Sequence, residues 1–181
     1  EEGLQPYMLP LKLHRDGSVR PLRERMRQLH SADESLKLKP VEKNWVLFPC
    51  GGGTCIVYAV HPRHVILSLN ASSGAVVPCA NTSASALPAG ESWHGGAGAV
   101  LLGNATAGEG FFLSAVHGKS YTTYLYKFRA AHPHDILAVA TVPLPLKQSS
   151  TSWGGMVSFV SSLALGTDDA GEPELIVGYG S

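Results

Sequence analysis

The chain lacks any imbalance of charge and any long apolar segment. Fourteen basic side chains balance fourteen acidic ones, so no broad field attracts nucleic acid or an anionic membrane surface. No apolar run reaches the roughly 20 residues that a transmembrane helix needs. We therefore expect no nucleic-acid partner and no membrane-spanning segment.

Several strong signatures of enzymes are also missing. The sequence has no Gly-x-Ser-x-Gly elbow for a serine nucleophile and no P-loop for a nucleotide phosphate. It has no HExxH or CxxC motif, and proline separates the two imidazoles of His132-Pro133-His134-Asp135 awkwardly for one metal ion. We expect that segment to have a structural or solvent-facing role, and we expect no metal and no cofactor.

The sequence has no amino-terminal methionine, and no signal segment precedes its first strand-like run. It stops after Gly178-Tyr179-Gly180-Ser181, within a strand-like motif. We expect the chain to be a piece of a longer protein.

Cysteine is scarce, and its spacing bears on the compartment. Cys50 and Cys55 flank a glycine-rich turn at 51–54, so a disulfide across a hairpin and two buried thiols are both compatible with the spacing. Asn70, Asn81 and Asn104 each begin a glycosylation sequon. Together these features favour the secretory lumen or the extracellular space, with the cytoplasm as the alternative.

What the chain does contain is short apolar runs between turn residues. Twenty glycines and twelve prolines suit a loop-rich all-β fold. Four such runs between Trp93 and Val139 predict a four-stranded antiparallel meander, which is the unit of a propeller blade. Trp45, Trp93 and Trp153 each open a similar strand, loop and strand, and such repetition indicates a β-propeller. A β-sandwich is the alternative.

The predicted organisation has four parts: the end of a preceding blade plus a connector (1–40), a blade with a long loop (41–92), a complete four-stranded blade (93–150) and the truncated start of a further blade (151–181). We predict a tight turn over 14–18 and a strand from Arg63 to Leu69. The segment from Asn70 to Glu91 has no periodicity, so we predict a long loop there.

An ordered set of short motifs runs through the second half. They are Gly96-x-Gly98, Gly110-Phe111-Phe112-Leu113, His117-Gly118, Tyr124 and Pro133-x-x-Ile136. Lys43-Asn44 and Leu47-Phe48-Pro49 precede them, and Val157-x-Phe159, Leu175-Ile176-Val177 and Tyr179-Gly180 follow. Over residues 40–181 this order and spacing resemble the five-bladed propeller mannoside phosphorylases and their glycosidase and mannosyltransferase relatives.

The resemblance implies a five-bladed parent, of which this chain holds about three blades, with a sugar site in the central channel. It implies an enzyme that transfers or phosphorolyses β-linked mannose-type sugars, with phosphate or a sugar nucleotide as the second reactant. Lys43 and His117 fall at positions similar to the family's anion-contacting residues. His94, Trp93 and Trp45 are implied to contact sugar by stacking or through hydroxyls, with core packing as the alternative for the tryptophans.

The chain also departs from that family. The family's catalytic acid and its Glu-Asp-Pro-Arg segment would lie before residue 1, so the catalytic residues of this chain are unknown. After Tyr58, where the phosphorylases often lead to arginine, the chain reads Ala59-Val60-His61-Pro62, and His94 replaces an arginine at the start of the central blade. A transferase, a hydrolase and a non-catalytic glycan-binding or protein-interaction propeller therefore stay open.

Overall fold

The computed structural model describes residues 6–38, 44–90, 92–104, 109–118, 120, 122–147, 149–150 and 156–180. Within these ranges the chain forms strands, one short 3-10 helix at Arg23–Arg25, and no α-helix. The predicted all-β class is confirmed. Across the same ranges no helix combines the length and the apolar content that a membrane crossing requires.

Five short strands precede the first large sheet: β1 (Tyr7–Met8), β2 (Leu11–Leu13), β3 (Val19–Pro21), β4 (Arg27–Gln28) and β5 (His30–Ser31). β1 pairs with β4, and β2 pairs with β3 in an antiparallel hairpin. The Asp16 carboxylate accepts hydrogen bonds from the backbone and the hydroxyl of Ser18 at 2.9 and 2.7 Å. Gly17 adopts a φ of 82°, so the turn predicted over 14–18 is confirmed.

The first large sheet is an antiparallel meander of β6 (Val46–Cys50), β7 (Gly53–Ala59), β8 (Arg63–Leu69) and β9 (Ala75–Ser83). β5 adds a parallel strand on the outer edge of β9. β8 has the bounds that its alternating apolar pattern predicts. The side chains of β7 and β8 alternate between two hydrophobic clusters, one on each face of the sheet.

The long loop predicted from Asn70 to Glu91 is wrong over the nine residues of β9. Backbone pairing with β8 and complete burial of Val76 stabilise this strand. Its apolar alternation is broken by a bulge. Pro78 lies opposite Leu67 and Ala80 lies opposite Ile66, so Cys79 has no residue opposite it on β8. The bulge interrupts the alternation on which the prediction depended.

The second large sheet comprises β10 (His94–Gly95), β11 (Val100–Leu102), β12 (Phe111–His117), β13 (Thr123–Arg129) and β14 (Ile136–Val139). β10 and β11 pair with opposite ends of the same edge of β12, and β13 and β14 follow as neighbours. The four-stranded meander predicted between Trp93 and Val139 is therefore confirmed, with its first strand split in two.

Two pairs of strands end the described chain: β15 (Ser149–Ser150) with β16 (Met156–Val157), and β17 (Phe159–Thr167) with β18 (Pro173–Gly180). Val160 of β17 packs with Ala97 and Ala115 of the second sheet. The strand predicted to begin at Trp153 has its first residues outside the described ranges.

The sheets are stacked in series. The largest hydrophobic cluster lies between the two large sheets, with Phe48 and Ile66 from the first and Phe112 and Phe128 from the second. A second cluster covers the other face of the first sheet, and the cluster around Val160 covers the other face of the second. Both large sheets are thus packed on two faces.

Candidate functional site

His94 and His117 form an adjacent pair at one end of the second sheet. They lie directly opposite each other on β10 and β12, and their ring centroids are 5.7 Å apart with the planes tilted by 32°. His94 is exposed, whereas His117 is only 8% exposed. The antiparallel pairing of β10 with β12 therefore brings together two residues that the sequence analysis singled out separately.

The chain enters the first sheet beside this pair. A Cβ atom on Gly95 would lie 2.5 Å from the carbonyl oxygen of Asn44 and 3.2 Å from Cγ2 of Val46. Gly95 thus permits close contact between β10 and the segment that leads into β6. Lys43, which precedes Asn44, lies outside the described residues.

The two tryptophans pack on different faces of the first sheet. Trp93 is 4% exposed in the cluster between the sheets, with its ring centroid 5.5 Å from that of Tyr124. Its indole Nε1–H donates to the Pro88 carbonyl at 2.9 Å. Trp45 is half-buried against Tyr58 at 5.7 Å and lines an apolar groove of about 360 Å³. Neither ring adjoins the other, and Trp93 contributes to the core.

A larger groove of about 680 Å³ lies beside the first hairpin of the first sheet and is lined by both sheets. Cys50 and Cys55 form a disulfide there, and Cys79 is a free thiol. Of the two arrangements compatible with the cysteine spacing, the disulfide is the one present. Burial raises the pKa of the Cys79 thiol, so the thiol is a poorer nucleophile than an exposed cysteine.

His132 and His134 also line this groove. The Nε2–H of His132 donates to the carbonyl of Cys79 at 3.0 Å, and the Nδ1–H of His134 donates to the carbonyl of Arg129 at 3.1 Å. Burial lowers the pKa of His134. Among the described residues, no group of three or more His, Cys, Asp or Glu side chains is placed to hold a metal ion.

His64, which no motif of the sequence singles out, is completely buried between the sheets. Its Nδ1 lies 2.9 Å from the carbonyl of His134, and burial lowers its pKa to about 4. The available signal was its place on β8: His64 shares a face with Ile66, so an alternating strand puts a histidine at a core position.

The chain matches no family model, no curated protein and no solved structure. Of the five predicted binding residues, His94 and His117 adjoin, Trp93 and Trp45 pack in separate clusters, and Lys43 is outside the described ranges.

Proposed function

We propose that the chain is part of a β-propeller that binds and processes a mannose-type glycan or sugar phosphate at His94 and His117. Two consecutive antiparallel meanders, followed by a hairpin on the outer face of the second, support the propeller. Neighbouring propeller blades stack in this serial way, whereas a β-sandwich buries only the two inner faces of its sheets.

The single observation that carries the proposed binding site is the 5.7 Å separation of the His94 and His117 rings. Neutral imidazole offers one donor and one acceptor, which suits sugar hydroxyls, while a protonated ring donates from both nitrogens to phosphate oxygens. The exposed His94 contacts the ligand, and the mostly buried His117 lies beneath it as a second partner.

The chemistry that this pair serves is transfer or phosphorolysis of a glycosidic bond. In an inverting phosphorolysis, phosphate attacks in place of an activated water, so one carboxylic acid is needed to protonate the leaving oxygen. We assign that acid to no residue of this chain. The histidine pair then holds the anionic or hydroxylated reactant.

A protein-interaction propeller is the second candidate, because the β17–β18 hairpin carries exposed apolar side chains. Phe159, Leu165, Ile176 and Tyr179 are each between 42% and 51% exposed. Apolar side chains grouped on one hairpin suit a protein partner better than a sugar.

A titration followed by amide chemical shifts tests the proposal. Mannose 1-phosphate, inorganic phosphate and a manno-oligosaccharide are each added to the chain, and to the His94→Ala, His117→Ala and His30→Ala variants. We expect shifts centred on β10 and the end of β12, weakened at least tenfold by either of the first two changes. His30 is exposed on β5, so the third variant is the matched control.

Turnover is then followed in the parent protein as phosphate release with chain extension. We expect His117→Ala to abolish turnover without unfolding the chain. Shifts confined to β17–β18, or no response to any of the three ligands, would contradict the proposed sugar site.

A further inference from the structure

Three buried polar atoms lack a hydrogen-bond partner within the described part of the chain: Nε2 of His64, Oγ1 of Thr82 and the hydroxyl of Tyr126. His64 and Tyr126 are 0% and 1% exposed. An unpaired polar group in a protein interior is costly, because folding removes its bonds to water without replacing them. Buried polar atoms in native structures therefore nearly always have a partner, either protein or ordered water.

The hydrogen bond on the other side of the His64 ring determines the state of Nε2. A carbonyl oxygen only accepts, so the nitrogen facing the His134 carbonyl at 2.9 Å, Nδ1, carries the proton. Burial keeps the pKa of His64 at about 4, and the ring is therefore neutral near pH 7. Nε2 then carries a lone pair and can only accept a hydrogen bond.

The three residues all belong to the region where the two large sheets face each other. Thr82 lies directly opposite His64 in the β8–β9 pairing, and opposite residues of a sheet project from the same face. The Tyr126 ring of the second sheet meets the His64 ring edge-on, with centroids 6.0 Å apart and planes at 88°.

The neighbouring hydroxyl of Ser114 does not complete this group. Ser114 lies opposite Tyr126 on β12, but it donates its own proton to the Ala97 carbonyl at 2.9 Å. Burial raises the pKa of Tyr126, and the nearby Ser114 hydroxyl acts in the opposite direction as a hydrogen-bonding group. Because the one Ser114 proton is directed to Ala97, the geometry leaves the Tyr126 hydroxyl without a partner.

We propose that His64, Thr82 and Tyr126 form a binding site for one water molecule, which bridges the two sheets. The water donates to Nε2 of His64 and forms a hydrogen bond with each of the two hydroxyls. Buried waters typically make about three hydrogen bonds to otherwise unpaired protein groups, which matches the number of unpaired atoms.

A metal ion is a poor fit to the same atoms. One imidazole and two neutral hydroxyls supply no thiolate or carboxylate, the other ligands that zinc uses in proteins. The hydroxyls instead suit a ligand that both donates and accepts hydrogen bonds. Water meets this requirement within a small volume.

Nuclear magnetic resonance of the full chain, with 15N-labelled histidine, tests the site at pH 7. We expect His64 in the Nδ1–H form and a cross-relaxation peak between its ring proton and bound water. Tyr126→Phe removes one hydrogen-bond partner of the water. We therefore expect the intensity of that peak to fall by at least half and the Nε2 resonance to shift. Tyr124→Phe deletes a hydroxyl two residues away on β13, where the ring packs on Trp93, and we expect no change.

Thr82→Val is the second variant, used if Tyr126→Phe does not fold, and it should weaken the peak in the same way. A wild-type His64 in the Nε2–H form, or with no water peak, overturns the proposal. So does a zinc titration that moves Nε2 and leaves one equivalent of metal on the protein after dialysis. An unchanged peak in a folded Tyr126→Phe or Thr82→Val variant removes that residue from the site.

Discussion

His64 on β8 donates a hydrogen bond of 2.9 Å to the backbone carbonyl of His134, which lies 70 residues further along the chain. The bond joins the first sheet to the turn between β13 and β14. Both side chains are buried, and both rings carry their proton on Nδ1, because each Nδ1 faces a carbonyl. The junction of the two sheets therefore depends on neutral histidine.

That dependence predicts a loss of stability in mild acid. The pKa of His64 falls from 6.5 to about 4 on burial, so between these values the unfolded chain binds a proton that the folded chain does not. The stability that depends on neutral His64 is fully present above pH 6.5 and is lost as the pH falls towards 4. The total loss is at most about 3 kcal/mol. The lowered pKa of His134 acts in the same direction. Urea unfolding at pH 7.5, 5.5 and 4.5 measures this loss of stability.

The matched comparison is His64→Phe. We expect this variant to be less stable than the wild type at pH 7.5 and to lose less stability between pH 7.5 and 4.5. His30→Ala, an exposed change, leaves the dependence intact. A free energy of unfolding that stays constant from pH 7.5 to 4.5 would argue against a neutral buried His64.

Phe128 connects the aromatic cluster between the sheets, and its loss should be costly. The side chain is 0% exposed, and its ring centroid lies 5.2 Å from that of Phe48 and 5.3 Å from that of Phe112. We expect Phe128→Ala to lower the free energy of unfolding by about 3–5 kcal/mol. Leu137→Ala on β14, where the side chain is 40% exposed, should cost less than about 1 kcal/mol. Equal losses in the two variants, measured by denaturant unfolding, would contradict the position of this core.

Gly95→Ala tests the close contact between Asn44 and Gly95, the residue that follows His94. The added methyl group would meet the Asn44 carbonyl at 2.5 Å, so the backbone must shift. We expect a loss of about 1–3 kcal/mol and weaker ligand binding at His94. Gly98→Ala is the control, because a Cβ there meets nothing within 4 Å. Thermal unfolding and the sugar titration, run on both variants, distinguish a local steric effect from a general effect of alanine.

Reduction of the Cys50–Cys55 disulfide should have a modest effect. The bond spans a sequence separation of five, and closing so short a loop stabilises by about 2 kcal/mol in the chain-entropy treatment. We expect the free energy of unfolding to fall by that amount when a reductant is added, as measured by urea unfolding. A count of free thiols checks that reduction is complete. Cys79→Ala should leave the response to reductant unchanged, since Cys79 is the free thiol. No change after complete reduction would show that the disulfide does not contribute.

The regular strands could be predicted from sequence because their patterns are local. Arg63 to Leu69 alternates between two apolar faces, and the four runs after Trp93 are separated by turn residues. β9 could not be predicted in this way, since the Cys79 bulge and Pro78 break its alternation, and pairing with β8 and burial of Val76 stabilise it through tertiary contacts. The same limit applies to His64, whose partner is far away in sequence.

The pairing of His94 with His117 could be predicted from the sequence only in part. Each residue could be singled out from its place in a motif, but their contact depends on the register of β10 against β12. Trp93 has a similar sequence context, and packing against Tyr124 keeps it in the core.

The amino-acid sequence by itself determined the all-β class, the hairpin turns and the meander of the second sheet, because turn chemistry and alternating burial act over a few residues. Only the tertiary structure decided which faces meet and which polar groups become buried. Tyr126 meets His64 because the two sheets stack, whereas Thr82 lies opposite His64 within the first sheet. Stacking is set by the summed burial of side chains distant in sequence, which no local pattern records.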